Sequence, residues 1–94
     1  MAQNTTVTLE SGVWTQLTNA DATSATFQNT GAYYMLVKGT TDATQPTDAI
    51  GSIRYSPGQG ECNTDLADLF PGLSGVARLW ALCDESVGVF VSHA

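Results

Sequence analysis

His93 is the only imidazole in the chain, and Ser92 stands beside it. A Ser–His pair can make a nucleophile, but neighbours on an extended chain point to opposite faces and cannot reach each other. His93 therefore reads as a solvated or interface side chain. Asp65 and Asp68 are three residues apart, which puts both carboxylates on one side of a helix. Paired carboxylates serve acid–base catalysis and glycoside hydrolysis. Near a helix N-terminus they are stabilising without any catalytic role, and no other group in the sequence converges on them. Asp42 and Asp48 could hold calcium with backbone carbonyls, yet the Asp-x-Asp-x-Asp-Gly density of a dedicated loop is missing. Gly58-Gln59-Gly60 looks like part of a phosphate loop, but no Lys follows and it reads as a turn. Cys62, Cys83 and His93 fall short of a four-ligand zinc set. No catalytic, cofactor or metal site is expected, and the chain does not read as an enzyme.

Trp14, Trp80, Tyr33, Tyr34 and Tyr55 leave three readings open. Aromatics on a β surface can stack on sugar rings, anchor a protein interface or fill a core.

The elements that must carry these residues read as β throughout. Alternation of apolar and polar residues predicts strands over 5–10, 13–17, 25–28, 50–55, 76–82 and 87–92. The unbroken apolar run within 32–38 predicts a strand buried on both faces. Val13, Thr15 and Leu17 should share a face, as should Val87, Val89 and Val91. Asn29-Thr30-Gly31 predicts a tight hairpin, and Cys83-Asp84-Glu85-Ser86 a second, terminal one. Ser56-Pro57-Gly58-Gln59 fits a type II turn. Asn63-Thr64-Asp65 can cap a short helix near residues 64–70, which Pro71-Gly72 ends. The expected core is Val7, Leu9, Leu17, Phe27, Leu36, Val37, Ile53, Leu69, Phe70, Leu79, Val89 and Val91, with Leu66 on the buried side of the helix. Six or seven short strands and one short helix define an all-β fold, a small antiparallel β-sandwich or barrel.

The chain has 94 residues, enough for one domain, 1–94. Nine acidic residues oppose three basic ones, for a formal charge of −6. Binding nucleic acid needs clustered Lys and Arg, so no nucleic-acid partner is expected, and no anionic membrane for the same reason. Charged residues are 13%, about half the usual ~25%, so polar uncharged side chains keep this surface wet. That suits a protein partly covered by partners. No secretory signal is visible at the start, so a reducing cytosol is expected. Free thiols at Cys62 and Cys83 follow, with a single disulfide as the alternative.

Certain segments point to a family: Val13-Trp14-Thr15-Gln16-Leu17-Thr18, Gln28-Asn29-Thr30-Gly31, Pro57-Gly58-Gln59-Gly60-Glu61, Asp68-Leu69-Phe70-Pro71-Gly72 and Val91-Ser92-His93-Ala94. Across its whole length this pattern resembles the small β-rich virion proteins of tailed bacteriophages, the capsid decoration (cement) type in particular. The resemblance implies a non-enzymatic structural role on the outer capsid surface, after assembly in the host cytoplasm. The partners it implies are the major capsid protein and copies of the chain itself, often as a homotrimer. Similar small proteins serve as head-fibre or tail components, and a carbohydrate-binding, host-recognition module is the alternative. Contact is expected through residues 2–7, the loop 39–49 and exposed aromatics; the candidate interface residues are Thr5, Val7, Trp14, Tyr34, Asp42, Pro46 and Trp80. An acidic protein is repelled by packaged DNA, which also favours the outer surface. A Thr-rich, charge-poor β surface can pair edges with a neighbouring subunit by strand addition.

Overall fold

The computed structural model describes residues 2–94. Among them, eight strands and one helical turn follow in order: β1 (Gln3–Leu9), β2 (Thr15–Gln16), β3 (Ser24–Asn29), β4 (Met35–Thr40), β5 (Ile53–Tyr55), β6 (Gly60–Asp65), α1 (Leu66–Leu69), β7 (Arg78–Leu82) and β8 (Val87–His93). Every strand pair is antiparallel. One sheet has the order β1-β8-β3-β6 and the other β2-β7-β4-β5. Only β4 and β5 are successive strands of the same sheet; every other connection crosses between sheets. This interleaving is a jelly roll, one form of β-sandwich.

Period-two patterning explains the core between the sheets. In β8, Val87, Val89 and Val91 are buried while Gly88, Phe90 and Ser92 are half-buried on the opposite face. Phe27 lies beside them on β3 of the same sheet, and Met35 and Val37 from β4, Leu79 from β7 and Leu66 from α1 complete the core, all at most 1% exposed. A fully buried apolar side chain of this size contributes roughly 1.5–3 kcal/mol, so this cluster holds the sheets together. Val7, Ile53, Leu69 and Phe70 close its rim half-buried. The type II turn is present: Gln59 N donates to Ser56 O at 3.0 Å, and Gly58 has φ +85°.

Several expectations need correction. Neither Asn29-Thr30-Gly31 nor residues 83–86 form a hairpin, since β3 and β8 lie in one sheet and β4 and β7 in the other. Asn29 is buried and turns the corner between sheets with its own side chain. Asp65 takes the N-cap position of α1 as expected but makes no side-chain cap bond, and residues 63–65 belong to β6. The strand in 32–38 begins at Met35 and alternates buried with half-buried residues, so Leu36 lies outside the core. At 13–17 the predicted faces fail, because only Thr15 and Gln16 pair with β7, and Val13 is exposed while Trp14 is buried.

Candidate interaction surface

Of the candidate groups, His93, Asp42 and Asp48 are each held by hydrogen bonds of their own. His93 is buried rather than solvated: its Nε2 lies 3.0 Å from Gln3 Oε1 and its Nδ1 2.9 Å from Ala94 O. Gln3 Oε1 also accepts the Asn19 amide at 2.9 Å, so the ring ties β1, β8 and the loop before β3 together. Ser92 points to the opposite face. Asp65 ends β6 and Asp68 lies on α1, both exposed. Asp42 Oδ1 accepts the Thr44 amide at 2.8 Å, and the Thr44 backbone and side-chain bonds hold its carboxyl below the ordinary value. Asp48 is also held low, chiefly by Lys38 at 2.9 Å and then by the Ile50 amide. Among the described residues, no three His, Cys, Asp or Glu side chains gather into a possible metal site. Cys62 is exposed and Cys83 buried, both as free thiols.

The aromatics divide between interior and surface. Trp14 and Trp80, expected as exposed contacts, are 8% and 7% exposed. Trp80 alternates with Leu79 and Ala81 of the core, so its side chain lies on the outer face of its sheet. Its Nε1 donates to Thr40 Oγ1 at 2.9 Å. The connection 41–52, which holds most of the loop 39–49 expected as a contact element, returns along this face. Gln45 Nε2 donates to Trp14 O at 2.7 Å, Thr40 Oγ1 to Asp42 O at 2.7 Å, and Lys38 pairs with Asp48. Asp42 is exposed on this strap and Pro46 half-buried in it. Tyr55 is buried, edge-on to Phe27 with ring centroids 5.1 Å apart, and its hydroxyl donates to Glu61 at 3.0 Å. Burial, then the Glu61 hydrogen bond and charge, push that phenol well above its usual range. Tyr33 and Tyr34 are exposed, and the Arg54 guanidinium lies 4.1 Å from the centre of the Tyr34 ring.

Thr5 and Val7 lie on β1, one exposed and one half-buried. Their strand matters because of the four sheet edges. β2 has two residues, and β5 has three, one of them Arg54. β6 carries Glu61 and Asp65, has a register shift against β3, and contains Asn63 at φ +45°. Short length, charge and bulges are the usual defences of an edge against foreign strands. β1 has none of them: seven residues pair in unbroken register with β8, without a charge or a proline.

The outward backbone groups of β1 can be assigned. Gly88 O accepts the Thr30 amide, so Gly88 turns toward β3. Residues of an antiparallel strand bond alternately to either side, which gives Phe90 and Ser92 to β3 and Val87, Val89, Val91 and His93 to β1. Gln3, Thr5, Val7 and Leu9 therefore bond inward, and Asn4, Thr6 and Thr8 direct N–H and C=O away from the sheet.

The outer face of the same sheet was missed by sequence reading. β1, β8 and β3 are adjacent and contain no Asp, Glu, Lys or Arg. Asn4, Thr6, Thr8, Thr26, Gln28 and Ser92 surround half-buried Phe90 on this face. Beside Phe90 a shallow groove of about 320 Å³ runs to Gly60 and Cys62. A Cβ at Gly60 would stand 1.9 Å from Phe27 O, so only glycine lets β6 approach here. The signal was in the sequence as three charge-free segments, but their adjacency depends on strand order.

Comparison with protein-family models, with curated proteins and with solved structures finds no match to this chain. The architecture and its surfaces are therefore the grounds for any reading of function.

Proposed function

We propose that this chain is a non-enzymatic structural protein that docks on the outside of a protein shell, in the manner of a phage capsid decoration protein. The charge-free face of β1, β8 and β3 carries the reading. In a chain of net charge −6, it is the broad area where another protein can close without burying an unpaired charge. Interface cores are depleted in charge and enriched in aromatics, and Phe90 supplies the aromatic at its centre. The acidic groups elsewhere oppose contact with packaged nucleic acid, which favours the outer surface of a shell and major capsid subunits as the partner. Jelly rolls serve both viral structural proteins and lectins, so the fold supports either by analogy. Burial of Trp14 and Trp80 removes the two largest aromatics from any sugar-stacking platform, and this favours a protein partner.

The test mixes the purified chain with undecorated capsids and follows co-sedimentation and capsid melting. The chain should sediment with the capsids and raise their melting temperature. Phe90→Glu should weaken binding by roughly tenfold or more while leaving the chain folded. Equal binding by both proteins would refute this use of the face. Binding to glycans with no capsid affinity would replace the reading with host recognition.

A further inference from the structure

We infer that β1 pairs with β1 of a second copy, antiparallel about a twofold axis at Thr6, joining two four-stranded sheets into one of eight strands. The inference rests on the docking reading above, because its consequence is to double that face. The outward groups of β1 belong to Asn4, Thr6 and Thr8, spaced evenly about Thr6. Turned against itself, the strand sets Asn4 opposite the other copy's Thr8, Thr6 opposite Thr6, and Thr8 opposite Asn4. These are the positions at which antiparallel neighbours exchange two backbone hydrogen bonds per pair. Outer-face side chains then meet as Asn–Thr and Thr–Thr pairs, which are favourable across strands. Thr5 meets Val7 on the other face. Glu10 falls opposite Ala2, so the register opposes no like charges.

A second copy fits better than an unrelated strand because β1 has no charged side chain with which to select one. Self-pairing is isologous and closes at two subunits. A homotrimer built through sheet edges would need β1 to pair with β2, β5 or β6, and these are short, charged or bulged. The dimer lays two charge-free faces side by side, giving the shell a bivalent ligand.

Analytical ultracentrifugation of the full chain, from low to high micromolar concentration, tests this directly. The mass should rise from 9.9 kDa to twice that value. Amide exchange at Asn4, Thr6 and Thr8 should slow as the dimer forms, while Thr5 and Val7, bonded to β8, stay protected throughout. Thr6→Pro removes only an outward N–H, which an edge strand tolerates, and should leave a folded monomer. Thr6→Lys, which sets two cations together on the axis, should do the same. Arg54→Glu on the β5 edge should leave the dimer intact. A monomer at every concentration overturns the inference, as does a dimer in which Asn4, Thr6 and Thr8 still exchange freely. Capsid binding is scored separately: a monomer that binds capsids defeats the dimer alone, and a dimer without capsid affinity defeats the docking reading alone.

Discussion

Replacing Asn29 by Ala would strip the corner where β3 leaves its sheet. The Asn29 side chain is fully buried. Its Nδ2 donates to Tyr33 O at 2.7 Å and to Tyr55 O at 3.2 Å, and its Oδ1 accepts the Gly31 amide at 3.0 Å. Its own amide and carbonyl bond the turn at residues 58–59. Alanine takes the Asn29 side chain away from Tyr33 O and from the Gly31 N–H, and removes one donor from Tyr55 O, which keeps its place in the ladder opposite Met35. At ~1 kcal/mol for each of the two groups left unpaired, the loss is about 2 kcal/mol. For a domain of this size that lowers the melting temperature by roughly 10 °C. Asn29→Asp keeps the shape but turns an acceptor toward the two carbonyls and buries a charge. Both effects raise the folded carboxyl pKa above its unfolded value of about 3.9. The folded variant then holds a proton that the unfolded chain has lost. Its deficit against wild type should be small below about pH 4 and should grow as pH rises through the raised pKa. Urea unfolding, followed by the fluorescence of buried Trp14 and Trp80, measures both variants. An Asn29→Ala loss under ~0.5 kcal/mol, or an Asn29→Asp deficit independent of pH, would refute the role of this corner.

Two further outcomes follow from buried groups. Tyr55→Phe keeps the edge contact with Phe27 but loses the bond to Glu61, and should cost about 1 kcal/mol in urea unfolding. Because the folded Tyr55 keeps its proton past the unfolded value of about 10, wild-type stability should fall as pH rises above that value, and Tyr55→Phe should flatten the fall. A thiol reagent should label Cys62 in the native protein and Cys83 only on unfolding; equal rates would contradict the burial of Cys83.

Local patterning made much of this fold legible. Val87, Val89 and Val91 declare a strand with one buried face, and Leu9, Phe27, Val37 and Leu79 likewise take their expected places. β6 stayed hidden because Gly60–Asp65 is entirely polar apart from Cys62, and backbone pairing with β3 alone holds it as a strand. The corner at Asn29 was misread because the residues that favour tight turns can also act as buried hydrogen-bonding brackets. The tryptophans were misplaced for a longer-range reason: whether the outer face of a sheet is covered depends on where the strap 41–52 comes to rest. Thr5 and Val7 were named from the sequence as contact residues, and the structure places them on an edge strand. The face around Phe90 was not, because β1 and β8 come from opposite ends of the sequence and meet only in the folded sheet.

Hydroxyl-radical footprinting of the chain, free and bound to undecorated capsids, tests the docking face most directly. Phe90 is half-buried on that face, and Tyr33 and Tyr34 stand exposed beside β4 in the other sheet. Oxidation of Phe90 should drop on binding while Tyr33 and Tyr34 keep their free-state rates. Protection of the two tyrosines with Phe90 unchanged would place the contact on the wrong sheet and contradict the account.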